Sequence, residues 1–172
     1  TLAERLRGRR SSAAAVLVYH RVDAAAHDPF GQAVKPETFE RQLGMLGQFG
    51  NVIPASDLVE RLAAGRPVGG SIAVTFDDGY ADNLETAVPI AARLGVPITV
   101  FVTTQTVLTG TPFWWDALPT ALTGEGSPGA PNAADAVTIE QWHLALRRET
   151  ASRRAALLEE ITTRAGYRRR TD

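Results

Sequence analysis

The sequence contains no cysteine. Disulfides and thiolate metal ligands are therefore excluded, and the redox compartment is left open. Histidine is scarce: His20, His27 and His143 are the only three. No apolar run approaches the roughly 18 residues of a membrane-spanning helix. There is almost no net charge, −1 at pH 7, which argues against a general nucleic-acid binder. Basic residues precede the apolar stretch Ala13 to Tyr19, but that stretch is short and runs into Tyr-His-Arg. It reads as a strand, not as the core of a signal peptide.

What is there fits an ordinary globular protein: 172 residues, 44% hydrophobic and 22% charged. That length suits a single domain, 1–172, with a real core. The charge is unevenly spread. Residues 1–10 carry four Arg against one Glu, and residues 147–172 carry eight Arg against four acids. The stretch between is acidic by eight charges, a field that favours a cation. The Arg-rich ends read as solvated helix faces.

Residues 71–80, Ser-Ile-Ala-Val-Thr-Phe-Asp-Asp-Gly-Tyr, organise the chain. Ile72 to Thr75 are apolar or β-branched and predict a buried strand. It stops at Asp77-Asp78-Gly79. Adjacent carboxylates repel each other and resist burial, so a core strand ending in them needs a reason. On an extended chain neighbouring side chains point to opposite sides, so one Asp can hold a cation while the other does different work. Gly79 permits a sharp turn, and Asp82-x-x-Glu85 has the form of a capping box opening a helix. Read without its context, Asp-Asp-Gly is simply a turn with Asx-type hydrogen bonds.

Elsewhere the pattern alternates strand and helix. Residues 14–19, 52–54, 71–76 and 96–103 predict strands, the last buried on both faces. Pro36 opens a helix with Phe39, Leu43 and Leu46 inward, and Ser56 caps a second with Leu58, Val59 and Leu62 inward. The helix from Asp82 is expected to turn Leu84, Val88, Ala91 and Leu94 to the core, with Pro89 kinking or dividing it. Residues 104–137 have no clear period and predict a long loop inserted in the domain. Thr138-x-x-Gln141 predicts a helix start, and 152–165 another helix. The order predicts an α/β fold with parallel strands.

Thr75-Phe76-Asp77-Asp78-Gly79-Tyr80 resembles the first motif of the polysaccharide deacetylases, the NodB homology family. Tyr19-His20-Arg21-Val22, the Val100-Phe101-Val102-Thr103 strand and the Phe113-Trp114-Trp115-Asp116 segment support that resemblance in order along the chain. It implies the N-terminal part of a distorted (β/α) barrel, and hydrolysis of the acetamide of an N-acetylated oligo- or polysaccharide. It implies a catalytic base at Asp77 and a ligand for a divalent metal, in most of the family zinc, at Asp78. His20, at a strand's end, is either structural or a neighbour of the site. Trp114 and Trp115 either pack the long loop or form a sugar-stacking rim.

The resemblance ends where the family's second metal-ligand motif, His-x-x-x-His, would follow. No two of the three histidines have that spacing. Catalytic zinc usually takes three protein ligands, and Asp78 is one. The Thr1 start and this stop together predict a piece of a longer enzyme, inactive by itself. Two other readings stand beside it: a non-catalytic carbohydrate-binding or assembly module that keeps half the barrel, and a phosphatase of the haloacid dehalogenase type. The last wants Asp-x-Asp, whereas the carboxylates here are adjacent. Location, cytoplasmic or exported in a bacterium, is left open.

Overall fold

A computed structural model describes residues 13–24, 28, 30–123 and 133–164. These divide into two compact units, 13–24 with Gln32–Thr103 and, separately, residues 28, 30 and 31 with the chain from Thr104 onward.

The first unit is α/β with parallel strands, as the sequence predicts. Its centre is β5, Ser71–Phe76, in which all six residues are buried. Strand β1, Ala15–Tyr19, runs parallel to β5 in register from Ala15↔Ile72 to Tyr19↔Phe76. The short β4, Asn51–Val52, and β6, Ile98–Val100, also pair parallel with β5. The carbonyls of Gly70 and Ile72 accept from Asn51 and Ile53, and those of Phe76 and Asp78 accept from Phe101 and Thr103. Alternate residues face one edge of a strand, so β4 and β6 share the edge opposite β1. A second small sheet pairs β2, Arg21–Val22, with β3, Ala33–Val34.

Helix α1, Pro36–Leu46, carries Pro at its first turn and buries Phe39, Leu43 and Leu46, as their spacing predicts. Phe39 meets Tyr19 and Phe76 edge-on, with ring centroids 5.1 and 5.6 Å away. Tyr19 stacks on Phe76 and donates its hydroxyl to Gln42 Oε1 at 3.0 Å. Burial raises the Tyr19 pKa above its ordinary value. Helix α2, Ala55–Ala63, starts after Pro54, and Ser56 makes no cap bond. Leu58 is its buried residue, while Val59 and Leu62 are exposed, contrary to the inward set expected.

Two further expectations shift. The stretch 96–103 forms only the three-residue, half-buried β6, and Phe101 and Val102 are 56% and 50% exposed. Beyond Val100 the backbone follows the acidic turn, giving its N–H groups to Phe76 and Asp78, rather than continuing as a strand. The expected long loop at 104–137 is largely helical where described: α4, Thr104–Thr109, and α5, Trp114–Thr123, with α6, Ala133–Leu146, already begun at its end. Thr138 lies inside α6 rather than capping it. Pro119 sits within α5, where it forfeits a helix hydrogen bond, and burial of Leu118 and Ala121 beside it offsets that loss.

Helix α7, Ala151–Arg164, completes the second unit. Leu118, Ala121, Leu146 and Ile161 form its buried cluster, with Trp114, Trp142, Leu157 and Leu158 packed against it. Arg154 closes the end of α6 by donating to the carbonyls of Leu146 and Glu149.

Candidate active site

In parallel strands the C-terminal ends lie side by side, and that rim is where α/β folds place their chemistry. Tyr19 pairs with Phe76, so His20 and Asp77 are the next residues out on neighbouring strands. The Asp77 N–H donates to the Tyr19 carbonyl at 2.9 Å. The structure thus brings His20 and the Asp77-Asp78 pair to one rim, as the sequence predicts.

The turn itself is tight. The Gly79 N–H donates to the Asp77 carbonyl at 2.9 Å, which closes a three-residue turn on Asp78. Asp78 has φ 73°, the one positive φ outside glycine among the described residues. A γ-turn with that sign of φ is the rarer and more strained form. Gly79 is also left-handed, φ 79°, and a Cβ there would lie 3.0 Å from a Val102 methyl carbon and 3.2 Å from its Cα. Only glycine meets both demands. The Asp78 carbonyl accepts from Thr103, tying the turn to the end of β6. Simple alternation of side chains, expected from an extended strand, therefore breaks at Asp78.

Asp82 and Asn83 were not singled out as site residues by the sequence, and both belong to this rim. Asp82 makes no side-chain cap bond. Instead its Oδ2 accepts from Arg21 Nε at 2.9 Å and its Oδ1 from the Val22 N–H at 3.1 Å. The capping-box expectation fails because a cation and a backbone donor across the rim hold this carboxylate. Arg21 also reaches Asp23 at 3.0 Å and lies 4.9 Å from the centre of the Tyr80 ring. Asn83, 2% exposed, donates to the His20 carbonyl at 2.8 Å.

Asn83–Ala87 is a π-helical segment, in which the Val88 N–H reaches back to the Asn83 carbonyl. It leads into α3, Val88–Arg93, with Pro89 in the first turn. Proline has no N–H and its ring crowds the carbonyl four residues back, so the wider turn relieves the conflict. The buried face is Asn83, Ala87, Ile90 and Ala91, one residue away from the Leu84, Val88, Ala91 and Leu94 stripe expected; Leu84 is 71% exposed. Only Ala91 is common to both sets.

Trp114 and Trp115 belong to the second unit, and both are half-buried. Trp115 stacks on Phe113 at 4.6 Å, and Trp114 stacks on His143 at 5.1 Å with the Arg154 guanidinium 4.8 Å from its ring centre. Phe30 lies on His143 at 4.3 Å. Burial lowers the His143 pKa, Arg147 lowers it further and Glu140 opposes them. His143 is thus part of an aromatic stack. His27 lies outside the described residues.

A divalent ion is the group that the acidic turn most readily suggests. Among the described residues, however, no group of three or more His, Asp or Glu comes together to hold one. Asp78, with His20 beside it on the rim, does not complete such a site, since a catalytic zinc takes about three protein ligands. No helix among the described residues is long and apolar enough to cross a membrane.

Three solved structures are similar to parts of the chain. IcaB from Ammonifex degensii is 28% identical over 52% of this chain and 37% of its own, with a TM-score of 0.46. The Streptococcus pyogenes deacetylase PplD, solved with acetate, is 21% identical over 73% and 51%, with a TM-score of 0.42. A de-N-acetylase from Aggregatibacter actinomycetemcomitans is 21% identical over 76% and 52%, with a TM-score of 0.46. The chain thus spans between about a third and a half of the length of these structures. No curated protein matches it. Residues 64–127 match the family model described as polysaccharide deacetylase. The acidic turn lies inside that segment, and over it this chain matches part of the polysaccharide deacetylase family, as the residues Thr75 to Tyr80 suggest.

Proposed function

We propose that this chain supplies the acidic-turn portion of a metal-dependent polysaccharide N-deacetylase. The reaction class is hydrolysis of the acetamide on an N-acetylated oligo- or polysaccharide. The observation that carries the reading is the turn at the end of β5: a buried strand delivers Asp77 to the rim, and a left-handed Asp78 follows it. Backbone strain at a non-glycine residue persists only where its surroundings impose it, and such sites are commonly functional. The family match over 64–127 supports the same reading.

In this reading Asp77 is the general base. Water adds to the acetamide carbon, its proton passes to Asp77, and the carbon–nitrogen bond breaks to give acetate and the free amine. Asp78 is a ligand for a divalent ion, with zinc the first candidate. The further donors, and the acid that protonates the departing nitrogen, would come from outside the described residues. His20 is a neighbour of the reacting centre.

A second reading has an observation in its favour. Phe113, Trp114 and Trp115 form a half-buried aromatic cluster, and aromatic faces suit the apolar faces of sugar rings. That favours a non-catalytic carbohydrate-binding module. One experiment separates the two. The protein is translated in its natural reading frame, including whatever follows Asp172, loaded with zinc and given N-acetylated chito-oligosaccharides. Acetate release supports the deacetylase; saturable binding of the sugar with no acetate released supports the module and rejects the first reading.

A further inference from the structure

Strand β1 ends at Tyr19 and β2 begins at Arg21, so His20 stands at the break between two sheets. A half-buried carbonyl at such a break has no ladder partner and needs a donor from elsewhere. Asn83 supplies it. Its Nδ2 donates to the His20 carbonyl at 2.8 Å and to Asp82 Oδ1 at 3.0 Å. Both neighbours are acceptors, so only one orientation of the amide satisfies them. Leucine has a similar volume and no donor. Aspartate would set a second carboxylate against Asp82.

Asp82 fastens the next two residues, accepting from Arg21 Nε at 2.9 Å and the Val22 N–H at 3.1 Å. On the other side of His20, the Tyr19 carbonyl is held by the Asp77 N–H at 2.9 Å. The chain on both sides of His20 is thus tied to the segment that carries the acidic turn. At the start of the π segment Asn83, and not Leu84, faces inward.

We infer that Asn83 is a positioning residue of this site: through the His20 carbonyl it fixes where His20 stands relative to Asp77. The functional half of this inference rests on the deacetylase reading; the fastening itself does not. Asn83→Leu removes the donors and keeps the bulk. By NMR relaxation of the chain, the backbone order parameter of His20 should fall from the rigid value of about 0.85 to below about 0.6, while the order of Arg21, held by Asp82, and the Tyr19–Phe76 strand contacts persist. In the natural reading frame, kcat for acetate release should fall roughly tenfold, the effect of about 1.4 kcal/mol, at unchanged KM and bound zinc.

Unchanged order at His20 in a folded Asn83→Leu protein would overturn the fastening. Normal kcat with His20 loosened would overturn the positioning role. Asp82→Asn keeps the Asn83–His20 bond and should loosen Arg21 only; equal loosening of His20 would contradict the assignment to Asn83. Should Asn83→Leu fail to fold, the unaltered chain still decides: a scalar coupling across the hydrogen bond from Asn83 Nδ2 to the His20 carbonyl carbon is expected, and its absence refutes the bond. An unaltered enzyme that releases no acetate defeats the deacetylase reading alone, since the order parameters remain decisive for the fastening.

Discussion

Asp78 and Gly79 take left-handed backbone in succession, φ 73° and 79°, and only one of them is glycine. The two positions should answer oppositely to substitution. Gly79→Ala adds a left-handed penalty of about 1–2 kcal/mol and drives a methyl against Val102, so stability should drop by about 2–4 kcal/mol in urea unfolding. Asp78→Gly removes the same penalty and should unfold no more easily than the parent, while losing affinity for zinc by calorimetry on the protein translated in its natural reading frame. A large loss of stability in Asp78→Gly would mean that the turn stores no strain there. At this scale Asp77, Asp78 and Gly79 were legible because a carboxylate pair at the end of an apolar strand has few structural excuses. Asn83 was not. A lone Asn in a helix reads as a neutral surface residue, and only the break at His20, which depends on how two sheets diverge, gives it a reason to be buried.

Helices α5 and α6 show what periodicity misses and burial decides. The sequence shows no clear period here and reads as loop, yet Leu118, Pro119 and Ala121 are all buried in α5. The buried face before and after Pro89 likewise sits one residue from the apolar stripe, which no count of apolar spacing reveals. Strand β5 and the buried face of helix α1, Phe39, Leu43 and Leu46, were by contrast legible, because the apolar pattern and the packing agree there, although the helix ends at Leu46 rather than at Gly50 and Met45 is exposed. His143 links α6 to the aromatic stack and gives this unit a pH response. Burial holds its pKa below the ordinary value, with Arg147 adding to the effect and Glu140 opposing it. As pH falls through about 6.5, the unfolded chain takes up a proton that the folded chain still refuses. Stability is therefore full above that pH and is lost as pH falls towards the pKa of folded His143. All three tryptophans, Trp114, Trp115 and Trp142, belong to this unit and report on it by fluorescence. The urea midpoint they record should be lower at pH 5 than at pH 7.5, and His143→Gln should flatten the difference. An undiminished difference in His143→Gln would assign the response to another group.

Across the whole molecule, parallel order was legible because strand and helix alternate through the first 103 residues. The division into two compact units was not, since 104–137 reads as loop and the helices read after it carry no signal of a separate core. Among the described residues no group of three or more His, Asp or Glu comes together, and no two of the three histidines have the His-x-x-x-His spacing. The account as a whole therefore rests on two adjacent carboxylates with different duties. The measurement that tests this most directly pairs Asp77→Asn with Asp78→Asn in the protein translated in its natural reading frame, counting bound zinc and released acetate together. Asp77→Asn should keep the metal and lose about 10²–10⁴-fold in rate, the usual cost of removing a general base. Asp78→Asn should lose the metal first, and activity with it, because a charged ligand becomes a neutral one. Equal loss of metal in both variants, or full turnover in Asp77→Asn, would contradict the account.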